Sequence, residues 1–192
     1  MSTHDNAAAT EHITREPLHT RYIAFDGFRR SDGLFEIEGH LTDLKSHDFA
    51  PPSGARVVPA NDPIHDIGLC VVFDLDMVIH AVSTVIRAYP YRECPGGGAS
   101  LQALVGLRIG AGWSAEVRKR LPPGDTCTHL REILIPLATA AIQTVNPLRS
   151  QGLLDATDAS GKPLKIDSCY AYGASRELVL QRWPTFHRPD QD

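Results

Sequence analysis

The feature that most constrains the fold of this chain is a stripe of apolar residues that begins at Leu130 and has helical spacing. Its members recur every three or four positions: Leu130, Ile133, Leu134, Leu137, Ala138, Ala141, Ile142 and Val145. Such spacing places one apolar face along a helix, and that face must be buried against another layer of the protein. Pro136 falls inside this helix and should bend it rather than end it. We expect Asn146-Pro147 to end it, because a residue before proline disfavours helical backbone.

The residues just before the stripe combine capping and reactive side chains. An oxygen of Asp125, Thr126 or Thr128 would accept a hydrogen bond from the first free amides and cap the helix. Cys127 precedes the stripe by one turn, and His129 lies at its edge. A thiol at a helix N-terminus, next to an imidazole, is in an electropositive setting that favours reactivity. The alternative is a buried cysteine that acts as a small apolar residue beside a surface histidine.

Shorter apolar runs upstream of the helix predict an antiparallel sheet of about four strands. The predicted strands cover residues 21–28, 34–44, 67–74 and 77–89. The last two are joined by a short turn and should form a hairpin. Helices are expected at 99–107 and 113–121, and a C-terminal hairpin at 166–172 and 177–183. The sequence therefore predicts an α+β fold: one domain over residues 21–184, with a tail at 1–20 and a polar tail at 185–192.

The second predicted strand has two chemically different faces, because strand side chains alternate in direction. Phe35, Ile37 and Leu41 share one face. Glu36, Glu38, His40 and Thr42 share the other. Two carboxylates and an imidazole in a row can form an acid/base or metal-binding surface. The alternative is a solvated outer face of the sheet.

Two connections also carry candidate functional residues. His65 and Asp66 precede the third strand, and an imidazole beside a carboxylate can act as an oriented base. Adjacent strand residues face opposite ways, however, so the two pair only if the strand begins after them. Tyr91 and Cys94 lie in the segment after the fourth strand, before three glycines. No Gly-Lys-Ser/Thr sequence follows those glycines, which argues against a nucleotide-binding loop.

Composition excludes several classes of function. The chain has 192 residues and a net charge of −4, with 42% apolar and 22% charged residues. Without a basic run it is not expected to bind nucleic acid. No apolar run approaches a membrane span and no secretory signal begins the chain, so we expect a cytoplasmic protein with no membrane partner. The four cysteines form no CxxC pair and should remain thiols in a reducing compartment.

Five segments together resemble one bacterial family, catalogued as domain of unknown function 2889. They are RSDGLFEIEGHLTD (30–43), PIHD (63–66), LVGLRIG (104–110), CTHL (127–130) and DSC (167–169). The resemblance covers most of the chain, from about residue 22 to about residue 184. It implies a role in bacterial breakdown of aromatic compounds, as a lyase that releases formaldehyde from lignin-derived phenolics. The sequence departs from the family pattern at Tyr170, where a histidine often follows the cysteine.

A more distant resemblance is to iron–sulfur scaffolds of the NifU/IscU type. It consists of an antiparallel sheet, a cysteine loop at Cys94, and a Leu-Pro-Pro segment before a cysteine, Cys127, that begins a long helix. Those scaffolds use three cysteines and an aspartate, and residues 101–120 contain no cysteine. The resemblance therefore implies a similar architecture and not a standard cluster site.

Three functions follow from these observations. The first is an enzyme acting on a small aromatic or carbonyl-bearing molecule, either with no cofactor or with a single zinc or iron ion. Its candidate catalytic residues are His40, His65, Asp66, Cys127 and His129. Its candidate substrate-binding residues are Glu38, Tyr91 and Arg108, of which Arg108 could hold an acidic group bidentately. The second function is a metal or iron–sulfur carrier using Cys94 and Cys127, with Asp66 and His129 as further candidate ligands. The third is a non-catalytic binding protein. A homo-oligomer is compatible with all three.

Overall fold

The computed structural model describes residues 13–52 and 56–189, and it contains a four-stranded antiparallel sheet. The strands are β1 (His19–Arg29), β2 (Phe35–Lys45), β3 (Pro63–Phe73) and β4 (Ile79–Ala88), in that order across the sheet. The predicted α+β class and the predicted antiparallel hairpin of β3 and β4 are confirmed. The third strand begins four residues earlier than predicted, which brings His65 and Asp66 into it. Of the two predicted tails, residues 1–12 and 190–192 lie outside the described part of the chain.

One face of the sheet is covered by the long helix α2 (Thr128–Asp155). The apolar face predicted for β2 packs under it with matching residues of β3, and every member of the apolar stripe except Ile142 is buried. Gly39 allows this close approach, because a Cβ atom there would lie 2.5 Å from Cγ2 of Ile133. The helix continues through Pro136, as predicted. No described helix is long and apolar enough to cross a membrane.

Two predictions about the ends of α2 are wrong. The helix does not end at Asn146-Pro147 but continues to Asp155. A proline in a helix removes a single backbone hydrogen bond, and tertiary packing can outweigh that loss. At the other end the N-cap residue is Cys127, and no side chain caps the helix. Thr126 is buried and its hydroxyl is hydrogen-bonded to Ser100 Oγ at 2.8 Å, which explains why it does not cap.

The segment between sheet and helix is built differently from the prediction. A 3₁₀ helix, Cys94–Leu104, replaces the helix predicted at 99–107, and α1 covers Trp113–Arg120. The 3₁₀ helix packs against β4, where Gln102 Nε2 donates to the Val82 carbonyl at 2.7 Å. Trp113 Nε1 donates to the carbonyl of Leu134 at 2.7 Å and ties α1 to α2.

The predicted C-terminal hairpin is wrong. That part of the chain contains two short 3₁₀ helices, Tyr170–Tyr172 and Pro184–Phe186, and a short helix α3, Glu177–Arg182. Aromatic and β-branched residues suggested strands there, but strand propensity depends on a sheet surface to pack on. Here the buried anchor is Val179 on α3.

Candidate active site

A buried carboxylate, Asp43, lies in the apolar register of β2, on the side of the sheet that faces α2. Its side chain is 4% exposed. Arg21 donates to both of its oxygens at 2.7 Å, and His19 Nε2 donates to Oδ1 at 3.0 Å. Burial alone would raise the pKa of Asp43, but the hydrogen bonds from Arg21 and His19 outweigh it and lower the pKa to about 2. Asp43 is therefore a fixed negative charge at neutral pH.

His65 lies directly opposite Asp43 in the register of β2 and β3. Its Nδ1–H donates to Asp43 Oδ2 at 2.9 Å. An ionised carboxylate can only accept, so the neutral imidazole carries its proton on Nδ1 and its lone pair on Nε2. Burial lowers the pKa of His65, against the opposing effect of Asp43. The result is a neutral, oriented imidazole that can act as a base at pH 7.

A second imidazole, His129 on the first turn of α2, stacks on the first. The ring centroids of His65 and His129 are 3.8 Å apart. His129 Nε2 is 3.7 Å from Asp43 Oδ2, and its Nδ1 is 3.9 Å from Cys127 Sγ. Burial lowers the pKa of His129, and the nearby His65 and Arg21 lower it further. Cys127, His129 and Asp43 thus form a line of thiol, imidazole and carboxylate, at distances longer than tight hydrogen bonds.

His65, Cys127 and His129 line a cavity of about 750 Å³ between β3, the segment after β4, and the start of α2. Its apolar walls are Phe49, Ile64, Ile67, Pro90 and Tyr91. Its polar and charged side chains are His65, Glu93, Cys94, Asp125, Thr126, Cys127, Thr128 and His129. A cavity of this volume, with apolar walls and a few convergent polar groups, is typical of a small-molecule site.

The structure brings five of the predicted site residues to this one cavity: His65, Tyr91, Cys94, Cys127 and His129. The helix start and the third strand therefore meet, although they are about sixty positions apart in the sequence. Their convergence depends on the register of β3 under the first turn of α2.

The other predicted site residues lie elsewhere. His40, Asp66 and Glu38 are on the opposite, solvent-facing side of the sheet, where His40 Nε2 donates to Asp66 Oδ1 at 2.6 Å. His65 and Asp66 do not pair, because consecutive residues of β3 point to opposite faces. Arg108 is exposed and does not line the cavity. Two of the candidate catalytic residues, His40 and Asp66, therefore do not lie with Cys127 and His129.

Two groups among the described residues bring three potential metal ligands within 4.8 Å of one another. The trio predicted from the sequence, Cys94 with Cys127 and His129, is not one of them. The first group is Asp43, His65 and His129. Two imidazoles and a carboxylate suit iron or zinc, but Arg21 already binds both carboxylate oxygens, and a cation there would lie beside a guanidinium. These residues therefore fit an acid/base pair better than a metal ion.

The second group, Glu36, Glu38 and Cys70, lies on the outer face of the sheet. Burial raises the pKa of Cys70 to about 11, and the neighbouring glutamates add to the effect. In the absence of a metal ion, the thiol is therefore protonated at neutral pH.

Sequence reasoning missed the central residue of the site. Asp43, with its partners Arg21 and His19, was not among the predicted functional residues. A signal was present in the sequence. Asp43 lies on the same face of the strand as the buried residues Phe35, Ile37 and Leu41. A carboxylate in the buried register of a strand requires charged partners, which makes it a candidate for a functional site.

Comparison with known proteins gives one positive result. A family model described as "Protein of unknown function (DUF2889)" matches residues 19–143, from the first residue of β1 into α2. The match spans Asp43, His65, Cys127 and His129. No curated protein matches, and no solved structure matches.

Proposed function

The chain belongs to the DUF2889 family, and we propose that it is a small-molecule lyase that cleaves a C–C bond of an aromatic alcohol and releases a small aldehyde such as formaldehyde. One observation carries the proposal: His65 is a neutral base, held by the buried Asp43, at the wall of a cavity with apolar and aromatic sides. The substrate class follows from the family resemblance and from that lining.

The proposed reaction needs a single base that later acts as an acid. Nε2 of His65 takes the hydroxyl proton of a hydroxymethyl group, and the O–H electrons become the second bond of formaldehyde. The C–C bond breaks, and its electrons move into the conjugated ring system of the substrate. The imidazolium of His65 then returns the proton to the substrate carbon. The two products together contain every atom of the substrate, so no oxidant or reductant is required.

Asp43 would stabilise His65 in its protonated form. When His65 gains a proton it becomes a cation 2.9 Å from a carboxylate that is ionised throughout. A carboxylate that is already buried and oriented stabilises such a cation more strongly than solvent does. Cys127 and His129 form a second acid/base pair at the same cavity wall, suited to placing a proton on the substrate.

The proposal is tested by turnover of a panel of phenolic compounds that carry a hydroxymethyl group next to a ring-conjugated carbon. Formaldehyde is measured by a colorimetric assay, and loss of one CH2O unit by mass spectrometry. His65→Gln should lower the rate by about 10²–10⁴-fold, the usual contribution of a general base. His80→Gln is the matched control, because His80 also donates to an aspartate, Asp74 at 2.8 Å, but does not line the cavity.

Two results would contradict the proposal. The first is equal activity of the two variants, which would remove His65 from the chemistry. The second is stoichiometric zinc, iron or an iron–sulfur absorption spectrum in anaerobically purified protein, with activity lost when the metal is removed. That second result would favour a metalloenzyme, or the carrier hypothesis that uses Cys94 and Cys127.

A further inference from the structure

A second, smaller cavity of about 340 Å³ adjoins the candidate active site. Three arginines line it: Arg56, Arg87 and Arg92. Its other lining residues are Val58, Ala88, Tyr89, Pro90 and Tyr91. We refer to this surface as the arginine groove. All three arginines are exposed, and Arg87 Nη1 also contacts Asp66 Oδ1 at 3.2 Å.

The arginine groove and the active-site cavity have part of their lining in common. Pro90 and Tyr91 line both of them. A second shared element is the bridge between Phe49, which lines the cavity, and Val58, which lines the groove; their backbones exchange hydrogen bonds of 2.8 and 2.9 Å. A single elongated molecule could therefore contact both, with one end in each.

The two cavities have opposite charge. Among the described residues, the charged side chains of the active-site cavity are Glu93 and Asp125, and neither lysine nor arginine lines it. The described lining of the groove contains three guanidinium groups and no carboxylate. An anionic group would be repelled in the cavity and attracted in the groove.

We propose that the arginine groove binds a carboxylate of the substrate while the aromatic alcohol end lies against His65. The inference rests on the proposed function for the identity of the reacting end. Guanidinium groups bind carboxylates through two parallel hydrogen bonds, and several of them around one groove favour a planar anion over a neutral group. The exposed ring of Tyr91, between groove and cavity, would contact the apolar middle of the molecule.

The test compares ferulate, a phenolic carboxylate, with its uncharged amide, ferulamide, by isothermal titration calorimetry. Ferulate should bind the wild-type protein about 10-fold more tightly than ferulamide, because more than one guanidinium group can contact its carboxylate. Arg92→Gln and Arg56→Gln should each reduce that preference, and the double variant should abolish it. Arg118→Gln, an exposed arginine on α1 outside both cavities, removes the same charge and should leave the preference unchanged.

Equal affinity of the wild-type protein for ferulate and ferulamide would overturn the proposal. So would a loss of preference in Arg118→Gln as large as that in Arg92→Gln or Arg56→Gln. Inorganic phosphate that binds more tightly than ferulate, in competition, would mark the groove as a phosphate site and would also overturn it. Thermal unfolding of each variant confirms that it is folded. Because these are binding measurements, failure of the lyase assay leaves them interpretable, and failure of the groove leaves the lyase proposal standing.

Discussion

Replacing Asp43 by asparagine removes the charge that organises the site while keeping the side-chain shape. Asparagine loses the ionic hydrogen bonds from Arg21, His19 and His65. It can also turn its amide nitrogen toward His65, which would then keep its proton on Nε2, the wrong tautomer for a base. We therefore expect Asp43→Asn to affect both stability and catalysis.

The size of the stability effect follows from the pKa. The pKa of Asp43 falls from 3.8 to about 2 on folding, and a shift of that size corresponds to about 2–3 kcal/mol at neutral pH. Breaking a buried ion pair typically costs about 3–5 kcal/mol. Arg21 is 29% exposed and keeps Glu132 as a second partner, so the lower part of that range, about 3 kcal/mol, is expected. The proposed release of formaldehyde should slow by about 10²–10⁴-fold.

The assay is urea unfolding at pH 7.5 together with turnover, and Asp66→Asn is the control. Asp66 accepts hydrogen bonds from His40 and Arg87, as Asp43 does from a histidine and an arginine, but its side chain is 24% exposed and lies on the outer face. The free energy of unfolding of Asp66→Asn should fall by less than about 1 kcal/mol. The difference in stability between wild type and Asp43→Asn should shrink as the pH falls from about 4 toward 2, because the wild-type carboxylate becomes protonated there. Equal effects of the two substitutions would refute the reasoning.

Two further predictions concern the titrating side chains. Burial lowers the pKa of His65 below its ordinary value of 6.5, so the unfolded chain binds a proton there more readily than the folded one. The free energy of unfolding should therefore decrease as the pH falls below 6.5, with a shallower slope in His65→Gln, measured by urea unfolding between pH 5 and 7. In iodoacetamide labelling at pH 8, Cys127, at the cavity wall, should react well before Cys70. Burial and two neighbouring glutamates raise the pKa of Cys70 to about 11, so that little of it is thiolate. Peptide mass mapping gives the order, and faster labelling of Cys70 would contradict the placement of both thiols.

Simple periodicity predicted the main scaffold because its two layers are amphipathic. The stripe after Leu130 predicted the helix, and alternation predicted the two faces of β2. The same alternation places the side chain of His40 on the opposite face of β2 from Ile37 and Leu41, and so away from the cavity. Alternation does not show which other element packs on each face of a strand. The convergence of His65 with the start of α2 therefore follows only from the register of the sheet.

The errors occurred where tertiary contacts override local preference. Thr126 does not cap α2, because a hydrogen bond to Ser100 engages its hydroxyl. The C-terminal segment forms short helices because its apolar anchor, Val179, packs without a neighbouring strand. Asp43 was missed for a different reason. Its charge suggested a solvent-exposed side chain, whereas its position in the alternating pattern of β2 indicated a buried one.

The central claim is that His65 is held as a neutral base with its lone pair on Nε2, directed by Asp43. Long-range ¹H–¹⁵N NMR of the histidine side chains at pH 7, with the His65 signals assigned from their loss in His65→Gln, tests it directly. We expect a protonated Nδ1 and an unprotonated Nε2, with the opposite tautomer in Asp43→Asn. An imidazolium, or a proton on Nε2 in the wild-type protein, would contradict it.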